Sequence, residues 1–211
     1  MDEKEEDLDA ALRRAYGVEG TEEIVALYRD WAARYDADTV GRFGYVAPAL
    51  AARAFAAAWP ERDSGVVDLG CGTGLSGEAL AAHGYRAIDG LDISPEMLDQ
   101  ARAKGVYRDL AVGDLTARLH APDGAWAAGL CVGTFTHGHV GPESLGEALR
   151  VIAPGGALVL TVNDGVWDDL GYPAALDGLA AAGTADVETV EQAEYLREEG
   201  IGCRLVTLRR R

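Results

Sequence analysis

Residues 66–80 read VVDLGCGTGLSGEAL. An apolar run of strand length enters three alternate glycines, Gly70, Gly72 and Gly74, and leaves as a helical pattern. Glycine adopts backbone conformations that a Cβ forbids, so the chain turns sharply there and its backbone comes close to whatever lies at the strand end. Strand, glycine turn and helix in that order open a parallel α/β unit with a ligand cradle in its first turn.

The same alternation continues downstream. Residues 75–83 predict a helix stopped by Gly84, and 86–91 a second strand. Ser94 and Pro95 open a helix that runs to Lys104 and ends at Gly105, as an N-cap, a first-turn proline and a terminal glycine should. Residues 109–113, 125–132 and 155–162 predict three more strands, with a helix over 142–152. Residues 185–195 and 201–210 flank the turn REEG and predict an antiparallel pair completing the sheet. The expected fold is α/β: a Rossmann-like doubly wound sheet, mostly parallel, with an antiparallel C-terminal strand.

Upstream of the glycine turn the pattern is helical. Residues 3–16 carry Leu8, Leu12 and Tyr16 on a weak amphipathic helix stopped by Gly17 and Gly20. Thr21 caps a second helix, with Glu22 and Glu23 in its first turn. Ile24, Leu27, Tyr28, Trp31 and Tyr35 follow at helical spacing, predicting one continuous face. GRFG at 41–44 reads as a loop, and 46–59 as a helix closed by Pro60. Residues 1–60 are thus expected to form a helical cap or lid on a core of 61–211, within one domain.

Charge narrows the partners. The 211 residues hold 35 acids and 19 bases, a net −16, and Lys4 and Lys104 are the only lysines. Such a chain repels phosphate backbones and anionic membranes, so no nucleic acid and no membrane is expected, and a neutral or cationic small molecule suits its field. There is no GK[ST] phosphate loop and no YxxxK pair. Three scattered cysteines, Cys71, Cys131 and Cys203, form no CxxC, so neither a disulfide framework nor a cysteine zinc site is expected. The acidic start is followed by no signal-like apolar segment, and no 18-residue apolar stretch exists, which makes the cytoplasm the expected location. A monomer or a homodimer is equally compatible.

The glycine turn admits two cofactors. Gly72, Gly74 and Gly77 spell GxGxxG, and Asp92 stands twenty positions after Gly72 at the second strand end, as in dinucleotide sites. S-adenosylmethionine needs a similar acid for its ribose. Asp68 favours the latter, because a carboxylate two residues before the first glycine repels a pyrophosphate and attracts an ammonium or sulfonium. Asp114, in VGDL after the third strand, is placed to take an adenine amino group.

These segments, in this order, resemble the class I S-adenosylmethionine-dependent methyltransferases. VVDLGCGTG, GLDISPEML, VGDL and RVIAPGGALVLTV match that family's successive motifs, and the likeness spans about residues 28–211. DGLDISPEMLDQARAKGVY is similar to the small methyltransferases related to the Williams–Beuren-region protein. The resemblance implies S-adenosylmethionine as cofactor and S-adenosylhomocysteine as product. It places Asp68, Gly70, Cys71, Gly72 and Gly74 around the methionine part and Asp92 on the ribose. It places Ile93 and Met97 on adenine, and Gly113, Asp114 and Leu115 at the adenine edge. Val132 and Gly133 would line the reacting centre.

Two further stretches are candidates for the lid and the acceptor site. YRDWAARYD at 28–36 carries Tyr28, Trp31 and Tyr35, rings that would cover the cofactor, hold a cationic acceptor, or simply dock the helix. Tyr45 is a further candidate. CVGTFTHGHVGP at 131–142 holds His137 and His139 where acceptor chemistry sits in this fold. Either histidine is a candidate base for deprotonating the acceptor, or a loop hydrogen-bonder. No third ligand accompanies the pair, so no metal is expected. His83 and His120 receive no role.

The leading expectation is transfer of a methyl group to a small-molecule oxygen or nitrogen by in-line displacement. Aminocarboxypropyl transfer, internal cyclisation of the cofactor, and a non-catalytic cofactor-binding module remain alternatives.

Overall fold

A computed structural model describes residues 21–211. The expected helix over 3–16, its stops Gly17 and Gly20, and the side chains of Thr21, Glu22 and Ile24 lie outside what is described.

Seven strands form one sheet: β1 Val66–Leu69, β2 Ile88–Asp92, β3 Asp109–Val112, β4 Ala128–Phe135, β5 Ala157–Asn163, β6 Ala185–Leu196 and β7 Ile201–Arg210. Their spatial order is β3-β2-β1-β4-β5-β7-β6. β1 to β5 pair in parallel, while β7 runs antiparallel to both β5 and β6. This is the expected doubly wound sheet with one reversed C-terminal strand. The order reverses between β1 and β4, and the crevice outside their carboxyl ends is where such sheets bind ligands.

Alternation along each central strand builds two cores. Val66, Leu130, Val159 and Leu205 face one layer, and their neighbours Val67, Cys131, Leu160 and Val206 face the other. Both faces are covered, so these strands read as unbroken apolar runs rather than alternating ones. On the first face lie α1 Thr21–Trp31, α2 Tyr35–Thr39, α3 Ala47–Ala58 and α4 Leu75–Ala82. On the second lie α6 Leu145–Arg150, α7 Asp164–Trp167 and α8 Tyr172–Ala181. Ala51 and Ala52 of α3 are completely buried, and their lack of bulk brings that helix close to the sheet.

α5, Pro95–Lys104, begins as its sequence requires. The Ser94 hydroxyl accepts from Met97 N at 3.3 Å, and Gly105 closes the helix at φ 67°. Other boundaries moved. The single face expected over 24–35 is broken: α1 stops at Trp31, residues 32–34 turn, and α2 starts at Tyr35. β2 begins two residues later than expected. The helix expected over 142–152 is a 3-10 turn at Pro142–Ser144 followed by α6. Helices α7 and α8 had no expected counterpart.

The largest shift is functional. β4 does not stop at Val132 but continues to Phe135, which pairs with Val162 across a register shift. Gly133 makes this possible: it sits at φ 78° and its N–H donates to Thr161 Oγ1 at 3.0 Å. The irregular stretch aims residues 132–134 into the crevice, a common use of a bulge beside a site.

Candidate active site

A cleft of about 800 Å³, open solvent at its mouth included, lies over the carboxyl ends of β1, β2, β3 and β4. Its floor is the glycine turn. Gly70 and Cys71 both donate their N–H to Leu91 O, at 2.8 and 2.9 Å, tying the turn to β2. Gly70 adopts φ 71°, and a Cβ there would stand 2.0 Å from Thr134 Oγ1, so only glycine fits. Gly72 adopts φ 53° and differs, because a Cβ there would meet nothing within 4 Å. The space above Gly72 is the cleft itself, a cradle built for close approach by a ligand.

Asp92 fixes that cradle. Its Oδ2 accepts from Gly72 N at 2.8 Å and its Oδ1 from Ser94 N at 2.9 Å. Burial pushes its carboxyl up and these backbone donors pull it back. The carboxylate lines the cleft with Ile93, Met97, Gly113, Asp114 and Leu115. Asp114 also organises its own turn, since its Oδ1 accepts from Thr116 N at 2.8 Å and Thr116 Oγ1 at 2.6 Å. Val132, Gly133 and Thr134 close the side towards β4.

Three expected contacts fall behind this surface. Asp68 is completely buried beneath the glycine turn and is not on the cleft wall. Its Oδ2 accepts from Tyr107 Oη at 2.7 Å, while its Oδ1 is buried without a partner. Burial raises its pKa to about 7 despite the Tyr107 bond. Cys71 is likewise buried beneath the turn, its thiol pushed up by burial. Gly74, at φ 95°, packs on Tyr107, Lys104 and Ala101 rather than on the cleft. Gly77 completes the explanation of GxGxxG: a Cβ there would lie 2.3 Å from the Tyr107 ring. The third glycine makes room for the tyrosine that holds Asp68. Nothing in the stretch KGVYRDL announced Tyr107, because its partner lies 39 residues away.

Helix α2 is held to the core by a polar clasp. Asp36 of α2 pairs with Lys104 Nζ at 2.7 Å and with the Thr73 hydroxyl of the glycine turn. Lys104 also pairs with Glu78 at 2.5 Å. The clasp brings Tyr28 and Tyr35 onto the cleft. Trp31 does not reach it; buried, it stacks on Tyr28, meets Tyr35 edge-on, and donates its indole N–H to Asp38 at 2.8 Å. The role of Lys104 went unnoticed in the sequence because its charge looks like an ordinary surface one.

The two histidines separate. His137 lies against Gly165 and is not on the cleft wall. His139 is on it. Its Nδ1 stands 2.5 Å from the carbonyl of His137 and its Nε2 stands 2.9 Å from Tyr28 Oη. A carbonyl only accepts, so Nδ1 carries the proton and Nε2 accepts from the Tyr28 phenol. Burial holds the His139 pKa below its ordinary value, which keeps the ring neutral.

Residues 66–156 match the family model described as a methyltransferase domain. Methyltransferase-like protein 27 of Homo sapiens is 35% identical over 187 residues, covering 87% of this chain and 72% of that protein. The chain belongs to the class I S-adenosylmethionine-dependent methyltransferases. The enzyme's fold agrees with a solved TehB-like S-adenosylmethionine-dependent methyltransferase from Corynebacterium glutamicum, at TM-score 0.64 and 20% identity over 88% of this chain and 99% of that one. A shorter match, 48% identical over 50 residues, links 24% of this chain to 17% of the 18S rRNA (guanine-N(7))-methyltransferase of Bos taurus. S-adenosylmethionine is therefore the cofactor of this methyltransferase, and the open cradle over Gly72, beside the Asp92 carboxylate, fits the close approach of such a ligand. No described helix is long and apolar enough to cross a membrane.

Proposed function

We propose that this methyltransferase methylates an oxygen or nitrogen of a small molecule, with His139 as the proton acceptor. The observation that carries this is His139, half-buried at the cleft wall, its pKa held below the ordinary value by burial and its Nε2 2.9 Å from Tyr28 Oη. Bound S-adenosylmethionine supplies an electrophilic methyl group on a sulfonium centre. The chain's task is to align a nucleophile with it, exclude water and remove one proton.

Asp92 accepts the ribose hydroxyls, Ile93 and Met97 flank the adenine, and Asp114 with the Leu115 N–H takes its polar edge. Gly70 and Gly72 give the methionine part its close approach. Asp68, Cys71 and Gly74 act as positioning residues beneath the turn, and Trp31 supports the lid from behind Tyr28 and Tyr35. The nucleophile's proton would pass to His139 Nε2, directly or through the Tyr28 hydroxyl, as the nucleophile takes the methyl group that the bound cofactor would supply. Val132 and Gly133 line the reacting centre. His137 contributes its carbonyl, which fixes the His139 tautomer.

A small acceptor suits the net charge of −16, which opposes a polyanion. The 50-residue likeness to an rRNA enzyme reaches 17% of that protein, too little to bring its substrate across. We further read residues 1–60 as a lid on the 61–211 core and the cytoplasm as the site of action. The test is incubation with methyl-labelled S-adenosylmethionine and, separately, a small-molecule extract, total RNA and total protein. The expected result is S-adenosylhomocysteine formation and label confined to small molecules. Label in RNA or protein alone overturns the acceptor class, and methylthioadenosine as product overturns methyl transfer.

A further inference from the structure

Behind the cofactor cleft lies a second chamber, and the two share Tyr28, Tyr35, Gly133 and His139. Its remaining wall includes Trp31, Phe43, Tyr45, Thr136 and Tyr195. Trp31 meets Tyr35 edge-on at 4.9 Å between centroids, and Tyr45 meets Tyr195 edge-on at 5.1 Å. None of its lining residues is Asp, Glu, Lys or Arg. Elements far apart in the chain build it: the lid, the 41–46 loop, the end of β4 and the end of β6.

The walls are fixed. Val46 N donates to Tyr195 O at 3.2 Å, Arg197 N to Gly44 O at 3.1 Å, and Glu198 N to Phe43 O at 3.2 Å. Backbone bonds thus stitch the loop bearing Phe43 and Tyr45 to the strand bearing Tyr195. Gly133 keeps the chamber open, since a Cβ there would stand 2.5 Å from Tyr45 Oη.

One polar atom in it is unexplained. Thr136 is 5% exposed, lines this chamber, and its Oγ1 is buried with no hydrogen-bond partner. A buried hydroxyl without a partner costs stability, so an orphan on a residue that lines a cavity points to a bond that a ligand completes.

We propose that this chamber is the acceptor site, that Thr136 is its specificity-determining polar contact, and that it takes an uncharged aromatic molecule bearing a hydroxyl or amine. The inference rests on the small-molecule reading above. Aromatic faces bind a planar ring, and Thr136 Oγ1 donates to or accepts from a polar substituent on it. A carboxylate or phosphate would be buried with no cationic partner, which is prohibitive. The nucleophile then lies beside His139, on the boundary with the cofactor. For a phenol, the O–H proton goes to His139 Nε2, the oxygen gains the methyl carbon, and the carbon–sulfur pair returns to sulfur.

The experiment titrates 4-methylphenol, 4-methylaniline, 4-methylbenzoate and 4-methylbenzylammonium into the full chain saturated with S-adenosylhomocysteine, followed by ligand-observed NMR. Wild type and Thr136→Val are compared, and Thr136→Ser serves as the conservative variant. The expected result is saturable binding of the phenol or the aniline, ahead of both charged probes. Thr136→Val should weaken it about tenfold and Thr136→Ser restore it. S-adenosylhomocysteine affinity, measured in the same samples, should not change, and this shows the variants to be folded. Preference for either charged probe, indifference to Thr136→Val, or no saturable binding of any probe overturns the chamber assignment. These failures differ from failure of the broader reading, which is seen only when the label from S-adenosylmethionine enters RNA or protein instead of small molecules.

Discussion

The two halves of the cleft are built by different means. The cofactor half is made by consecutive backbone: Gly70, Cys71 and Gly72 tied to Leu91 and Asp92, with Ser94 capping the next helix. The half proposed for the acceptor is made by side chains that meet only after folding: Tyr28 of α1 reaches His139 across 111 positions, and Tyr45 of the 41–46 loop meets Tyr195 of β6. Backbone geometry tolerates few substitutions but serves one ligand well. Side-chain walls are replaceable one by one, so acceptor choice changes without rebuilding the cofactor site.

This division predicts separable defects. Asp92→Ala should have the largest effect. It removes the proposed ribose acceptor and the anchor of Gly72 N together, so S-adenosylhomocysteine should bind about 100-fold more weakly by calorimetry. His139→Gln should match it in size, lowering kcat about 100-fold while leaving that affinity intact. In the wild type, kcat should rise with pH through a His139 pKa below the ordinary histidine value and be flat above neutrality, because the base works only when unprotonated. A plateau reached only well above neutrality would remove His139 from this role. Tyr28→Phe should cost less, about tenfold in kcat, and a larger loss in cofactor affinity than in kcat would blur the boundary between the halves.

Asp68 tests the buried support of the cofactor half through pH. Its carboxyl titrates near 7 in the folded ligand-free protein against about 3.9 unfolded. The native state therefore holds a proton that the unfolded state has lost, and stability contributed by this group falls as pH rises from about 4 to about 7, then levels off. Wild type minus Asp68→Asn, followed by urea denaturation at several pH values, should show that slope, to an order of magnitude a few kcal/mol. No difference in slope would mean that Asp68 is not buried as described. Smallest of all, Lys104→Met should loosen the clasp to Asp36 by about 1 kcal/mol, raising hydrogen exchange in residues 21–39 but not in the sheet.

Legibility in the sequence follows the same division. Three glycines, an acid at the second strand end and a Ser-Pro helix start are local signals: Gly70, Gly72 and Asp92 stand at the cleft and Ser94 at its cap, while Gly74 packs against Tyr107 instead. The parallel order followed from alternation of apolar runs and helices. Asp68 was legible as a residue but not as buried, since depth depends on Tyr107 and the Gly77 gap it fills. His137 and His139 looked equivalent in the sequence; only the extension of β4 through Gly133 decides which one reaches the cleft. Thr136 carried no signal at all, because an orphaned hydroxyl exists only once a chamber surrounds it.

The most direct test of the division is S-adenosylhomocysteine titration of wild type, Asp92→Ala and His139→Gln by calorimetry under one set of conditions. The predicted result is loss of about two orders of magnitude in Asp92→Ala and an unchanged dissociation constant in His139→Gln. Equal losses in both variants, or none in Asp92→Ala, would contradict it.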